Sequence, residues 1–179
     1  MSIAEILLPE FDHEMATTRR LLERVPEADA EWRPHPKSYS LGDLAAHIAR
    51  VPKWGRFVFE QPELDLGAPA NAELARAGFT TTAELLDRFD ANVRETRTAL
   101  AAAPDEAMRT KWALRNGGTT IFSLPRAAVF RAFILSHLIH HRGQLSLMCR
   151  LAGGTAPGIY GPNREEMAAM RERMQTAKV

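Results

Sequence analysis

The amino-acid pattern predicts an all-α fold: a bundle of four long helices with a short C-terminal helix, and a small hairpin or ordered loop before the fourth long helix. Apolar residues recur at helical spacing in four long stretches, and each stretch is stopped by proline or glycine. Strand-like sequence is confined to one short region around residues 111–124. Ile3, Ile6, Leu7, Phe11, Met15, Leu21, Leu22 and Val25 give the first helix, ending at Pro26, with Pro9 marking a kink or a late start.

A polar, proline-rich loop follows through Trp32-Arg33-Pro34-His35-Pro36-Lys37. Ser40, with Asp43 three residues on, then reads as the N-cap and capping-box acid of a second helix that carries His47. Pro52 denies the Ile48 carbonyl a donor, which predicts a bend, and the helix should finish before Pro62. Gln61 to Gly78 has no clear period and reads as a connecting loop. Thr81 and Glu84 repeat the cap signal for a third helix that stops at Pro104. Lys111-Trp112-Ala113-Leu114, Asn116-Gly117-Gly118 and Thr119-Thr120-Ile121-Phe122 form the hairpin or loop. With Pro125 in its first turn, the fourth helix runs to about Leu151 and is stopped by Gly153-Gly154. A short last helix from about Asn163, with Glu166 at the capping-box position, presents Met167, Met170 and Met174 as a packing face.

One domain of residues 1–179 is expected from this length, with enough chain for a full core. Charge is balanced, 23 Lys+Arg against 22 Asp+Glu, so no positive field exists to hold the phosphates of a nucleic acid. Cys149 is the single cysteine, which excludes an internal disulfide and fits a reducing compartment. The first residues carry no basic leader, and no run of about 18 apolar residues follows. The expectation is a cytoplasmic protein without a membrane partner.

The chemistry lies in Ser136-His137-Leu138-Ile139-His140-His141-Arg142-Gly143-Gln144. His137 and His141 are four apart, so a helix sets their imidazoles roughly 5–6 Å from each other on one face, where they can clamp one ion. Phe130, Phe133, His137, His141, Gln144 and Met148 fall on one stripe of an α-helix, which turns the pair toward the bundle interior. His47, in apolar Leu44-Ala45-Ala46-His47-Ile48, is a third candidate. Three neutral imidazoles suit a divalent metal and leave positions open for water or substrate.

Each of these histidines alone also fits a hydrogen-bonded core residue; two adjacent buried imidazoles without a metal or acceptor would leave unsatisfied ring nitrogens, at about 1–3 kcal/mol each. His140 is a rival ligand, but its direction favours the bundle edge, where it would support a ligand rather than bind. Gln144 is placed either to hold a ligand histidine or bound water through its amide, or to serve as a structural polar residue. His13, between Asp12 and Glu14, reads as solvated surface, and His35, between two prolines, as a structural loop residue. Cys149 falls off the histidine stripe and reads as core. Gly117-Gly118 is too short for a phosphate loop, and Ser136 diverges from His137, which argues against a serine-histidine pair.

Three segments together resemble the DinB-like (DinB/YfiT) superfamily of four-helix-bundle metalloenzymes. They are Trp32 to Ser40 leading into Leu44-Ala45-Ala46-His47, then His137 to Leu145, then the tail Gly153-Gly154-Thr155-Ala156-Pro157-Gly158-Ile159-Tyr160-Gly161. The resemblance implies an up-down bundle and a metal site formed by His47, His137 and His141. It implies nickel or zinc, with iron or manganese as alternatives, and a homodimer. It also implies a thiol S-transferase using a low-molecular-weight thiol such as bacillithiol, mycothiol or glutathione, or a related isomerase. The contrasting expectation is a non-catalytic stress-response protein that binds a metal or small molecule. An open coordination position beside a cavity favours the enzyme; a closed four-ligand shell favours the binding protein.

Overall fold

Helix α1 (Ile3–Leu22) begins where a full capping box closes: the Glu5 amide donates to Ser2 Oγ at 3.2 Å, and the Ser2 amide donates to Glu5 Oε2 at 2.6 Å. This cap starts the helix ahead of Pro9, which sits inside it, and the helix ends at Leu22 rather than at Pro26. The computed structural model describes residues 1–71 and 78–176, which are mostly helical with a small three-stranded sheet.

Helix α2 (Leu41–Glu60) starts at Ser40, whose Oγ accepts from the Asp43 amide at 3.1 Å, and runs through Pro52 without ending. Helix α3 (Thr82–Ala102) starts at Thr81, whose Oγ1 accepts from the Glu84 amide at 3.2 Å. At the proline turn α3 supplies the donors: Asn92 Nδ2 donates to the Ala49 carbonyl at 2.8 Å, and Thr96 Oγ1 donates to the Pro52 carbonyl. Gly55 lets the two helices approach, since a Cβ there would lie 2.6 Å from Thr96 Cγ2. A short helix α4 (Asp105–Arg109) follows.

The 111–124 region is the hairpin, formed by β2 (Lys111–Asn116) and β3 (Thr119–Pro125). Gly117 (φ 58°) and Gly118 (φ 82°) form its two-residue turn, in which both positions need positive φ. A third strand, β1 (Glu63–Asp65), pairs parallel to β2 and modifies the all-α expectation. It lies in the expected Gln61–Gly78 loop, whose residues 72–77 fall outside the described residues. The Asp65 carboxylate accepts from the amides of Gly67, Gly117 and Gly118, which ties that loop to the hairpin turn.

The last long helix, α5, is continuous but not uniform: α-helical over Arg126–Val129, π-helical over Phe130–Ser136 and α-helical again over His137–Leu151. Gly153 (φ 84°) follows it, and the Gly154 amide donates to the Cys149 carbonyl at 2.9 Å. Among the long helices, α1 packs on α3 and α5, and α2 packs on the same two. The long connections before α2 and before α5 therefore join helices that are not principal neighbours.

Glu14 and Arg142 lie within this packing and are almost wholly inaccessible, with Arg142 Nη2 2.6 Å from Glu14 Oε2. Arg142 also donates to the Glu14 carbonyl, to Thr18 Oγ1 and to Tyr160 Oη, and Tyr160 Oη donates to the Glu14 carboxylate. Helix α6 (Arg164–Thr176) corrects the reading of the methionine row. Met167, Met170 and Met174 are exposed, and no residue of α6 is buried. The Asn163–Glu166 capping box starts it, and the Arg150–Glu165 pair ties that start to α5.

Removing one member of a buried ion pair strands the other, at a cost of about 3–5 kcal/mol. Glu14→Ala or Arg142→Ala should lower unfolding stability by that amount in denaturant titrations, whereas the apolar double replacement E14L/R142M should recover much of it. Gly55→Ala should cost about 1–3 kcal/mol in the same measurement by forcing Thr96 aside.

Candidate metal centre

His47 projects from α2 about two turns after its cap, and His137 and His141 from the first turns of the α-helical end of α5. The π-helical stretch ahead of them accommodates an i→i+5 turn, and Ser136 Oγ donates back to the Arg131 carbonyl at 3.1 Å. A uniform 100° step across residues 130–141 therefore does not hold, and the histidine stripe is displaced. The deepest face of α5 is Ile134, Leu135, Leu138, Arg142, Leu145 and Cys149; His137 and His141 flank it, half-buried, rather than facing the centre of the core.

The three Nε2 atoms converge. His47 Nε2 is 3.2 Å from His137 Nε2, and His141 Nε2 is 2.8 Å from His137 Nε2. His47, His137 and His141 each offer a ligand atom, all within 4.8 Å of one another, so the group could hold a metal ion. Two imidazole nitrogens about 2.0–2.1 Å from one tetrahedral ion lie about 3.3 Å apart, close to what is found here. Lone pairs facing at these distances repel unless a proton or cation lies between them, so the donor set and spacing fit a divalent ion.

Their protonation is set by burial. His47 is pushed down to about 3 by desolvation, helped by His141, His137 and Arg50. His137 is pushed down to about 4 by desolvation and His141, against partial support from the Phe133 backbone. Its Nδ1 is buried and makes no hydrogen bond of good geometry. His141 is also lowered by burial, opposed by Gln144. His141 Nδ1 donates to Gln144 Oε1 at 2.7 Å, which leaves its Nε2 as the lone-pair nitrogen. At neutral pH all three rings are in the form that ligates.

Aromatic rings wall the group. Trp54 stacks on Phe133 at 5.4 Å and on His137 at 5.9 Å, and meets His47 edge-on at 5.7 Å. Phe122 of the hairpin packs edge-on against Phe133, so the small sheet backs this wall. Tyr39 stacks on His47 at 5.8 Å and meets His141 edge-on at 6.3 Å. Sequence reasoning assigned no role to Trp54 or Tyr39. Trp54 is seven residues after His47 and so two turns along the same face, a usable signal. Tyr39 lies in a loop, and no periodicity points to it.

The other candidates are placed apart. His140 is exposed and touches His141 ring to ring at 5.0 Å without joining the group. His13 is exposed, although its neighbour Glu14 is buried rather than solvated. His35 Nδ1 accepts from the Lys37 amide within the loop. Cys149 is buried, and burial pushes its thiol up to about 11, which leaves it no nucleophilic role at neutral pH.

Below about pH 6.5 an unfolded chain gains protons on its histidines that the folded chain refuses until pH is near 4 for His137 and 3 for His47. Metal-free protein should therefore hold this stability above about pH 6.5 and lose it progressively as pH falls through that window. Denaturant midpoints at pH 7.5 and pH 5 measure this, and the drop should shrink in His47→Gln/His137→Gln.

The DinB superfamily model matches residues 10–145, a span that contains all three histidines. A Bacillus subtilis (strain 168) relative, the uncharacterized protein YrdA, is 24% identical over 169 residues, covering 90% of each chain. A DinB-like protein from Bacillus cereus ATCC 10987 superimposes with a TM-score of 0.64 at 22% identity, over 86% of this chain and 95% of its own. A second, YjoA from Bacillus subtilis, gives 0.65 at 17% identity, over 87% and 98%. At these identities the likeness to the solved structures is one of fold, and it spans nearly all of each of them. The match across most of the chain shows that this protein belongs to the DinB superfamily.

Proposed function

We propose that His47, His137 and His141 hold one divalent metal ion through Nε2, and that the chain is a metal-dependent transferase joining a low-molecular-weight thiol to an electrophilic small molecule. The convergence of three Nε2 atoms, with that of His137 within hydrogen-bond distance of the other two, carries the metal reading, and the resemblance to the family supplies the thiol transfer. The all-imidazole donor set suits zinc or nickel. When bound, such an ion supplies Lewis acidity, making a thiol or water ionise near neutral pH.

The chain's own residues do the rest. Gln144 holds the His141 proton on Nδ1 and so keeps Nε2 aimed into the group. Trp54, Phe133 and Phe122 exclude water from one side, which strengthens electrostatic interactions within the site. Among the described residues the group has three members and no fourth histidine, cysteine or carboxylate, as an open catalytic site requires. No described helix is long and apolar enough to cross a membrane.

Freshly purified protein should carry close to one zinc or nickel per chain. His47→Ala, His137→Ala and His141→Ala should each weaken metal binding at least about 100-fold, and Gln144→Ala about 10-fold, while His13→Ala leaves it unchanged. Metal analysis of the five variants decides the ligand set. Conjugation of bacillithiol, mycothiol or glutathione to a model electrophile should vanish on verified metal removal and return on reloading. Full metal occupancy with no turnover of any thiol would instead make the chain a metal-binding protein.

A further inference from the structure

Two leucines one turn apart on α5, Leu147 and Leu151, are 59% and 58% exposed although the helix has ample room for polar residues there. They form one bank of a groove of about 330 Å³ whose opposite bank is the loop bearing Pro34, Lys37 and Tyr39. Leu44 and Met148, both buried, make its floor. Two of its lining residues reach the histidine group: Gln144 accepts from His141 Nδ1, and Tyr39 stacks on His47. The groove therefore borders the candidate metal centre, with Gln144 and Tyr39 between its space and the three histidines.

We infer that this groove binds the apolar body of the electrophilic substrate and that Lys37 takes its anionic group, so the substrate class is a small amphiphilic acid. The inference rests on the reading of the triad as a metal centre for which end of the ligand reacts. From Gln144 to Leu151 is seven residues, about 10 Å along the helix, the length of a phenyl ring with a three-carbon chain. Lys37 is the charged side chain lining the groove, which selects a carboxylate or similar anion over a cation. Peptide- and sugar-based thiols carry many hydrogen-bonding groups, and burying these against leucine and methionine would leave them unsatisfied. The apolar groove therefore suits the electrophile, not the thiol.

The test uses 3-phenylpropionate, an unreactive acid of this size, and its neutral isostere 3-phenylpropionamide. Both are titrated calorimetrically into metal-free and metal-loaded protein. The acid should bind both forms saturably with a Kd on the order of 0.1–1 mM, and the amide about tenfold more weakly. Lys37→Met should abolish the preference and leave amide binding unchanged. Leu147→Glu and Leu151→Glu, at exposed positions that tolerate polarity, should each weaken the acid at least about tenfold with unaltered circular dichroism.

No saturation by about 10 mM acid, or binding indifferent to both leucine variants, overturns the inference. His137→Ala separates it from the metal reading. If the variant loses metal but still binds the acid, the groove stands independently of the metal. If wild-type protein holds metal but metal-free protein does not bind the acid, the groove fails while the metal centre survives. Sedimentation velocity supplies a further outcome: a dimer that Leu147→Glu dissociates, with no binding of the acid, would make this face an interface between two copies and overturn the substrate site.

Discussion

Arg142 and Glu14 place two charges where water does not reach, and the arrangement persists because nearly every polar atom around them is answered. The guanidinium meets the Glu14 carboxylate, the Glu14 carbonyl, Thr18 and Tyr160, and the tyrosine hydroxyl donates a hydrogen bond to the Glu14 carboxylate. Charges buried this way allow little movement, because any displacement leaves one of them unpaired. The pair therefore fixes how α5 is rotated against α1. Adjacent positions on an α-helix point about 100° apart, so an Arg142 held toward α1 leaves His141 directed to the other side, where His47 of α2 waits. Tyr160 brings the chain after α5 into the same lock.

The second constraint is the change of helical type within α5. The π-helical stretch ends at Ser136, and regular α-geometry resumes at His137, so the four-residue spacing of His137 and His141 falls wholly within an undistorted segment. The stretch carries Phe133, which packs between Trp54 and Phe122, stacks on His137 and supports that ring through its backbone. Backbone irregularity, the aromatic wall and the orientation of one imidazole are thus parts of the same local structure. Burial then keeps the imidazoles neutral, and neutral imidazole is the ligating form.

Membership of the DinB superfamily carries the fold, while the chemistry has to be argued from the site, because one fold hosts many reactions. Here the site combines three converging nitrogens, an aromatic wall and a neighbouring apolar groove bordered by Gln144 and Tyr39. The first feature speaks for a metal, the second for a low-dielectric environment, and the third for what approaches it. Cys149, the chain's single thiol, is withdrawn into the core and takes no part in the site.

Local signals determined much of this protein. Apolar periodicity located the long helices, the residues Ser40, Thr81 and Asn163 marked starts, and Asn116-Gly117-Gly118 marked the hairpin turn, because caps and turns are satisfied within a few residues of chain. The HxxxH spacing and the apolar setting of His47 singled out the three histidines for the same reason: a helix converts spacing into a shared face. What depends on distant partners was not legible. The strand β1 exists because β2 offers an edge to Leu64, the methionine row of α6 is left exposed because nothing among the described residues covers it, and Tyr39 stacks on His47 only once a loop is folded. Nothing in the local pattern marked Arg142 for burial. Its burial, and with it the rotation that brings the histidines of α2 and α5 together, was decided by tertiary packing, since only the assembled helices supply the Glu14, Thr18 and Tyr160 that make a buried guanidinium tolerable.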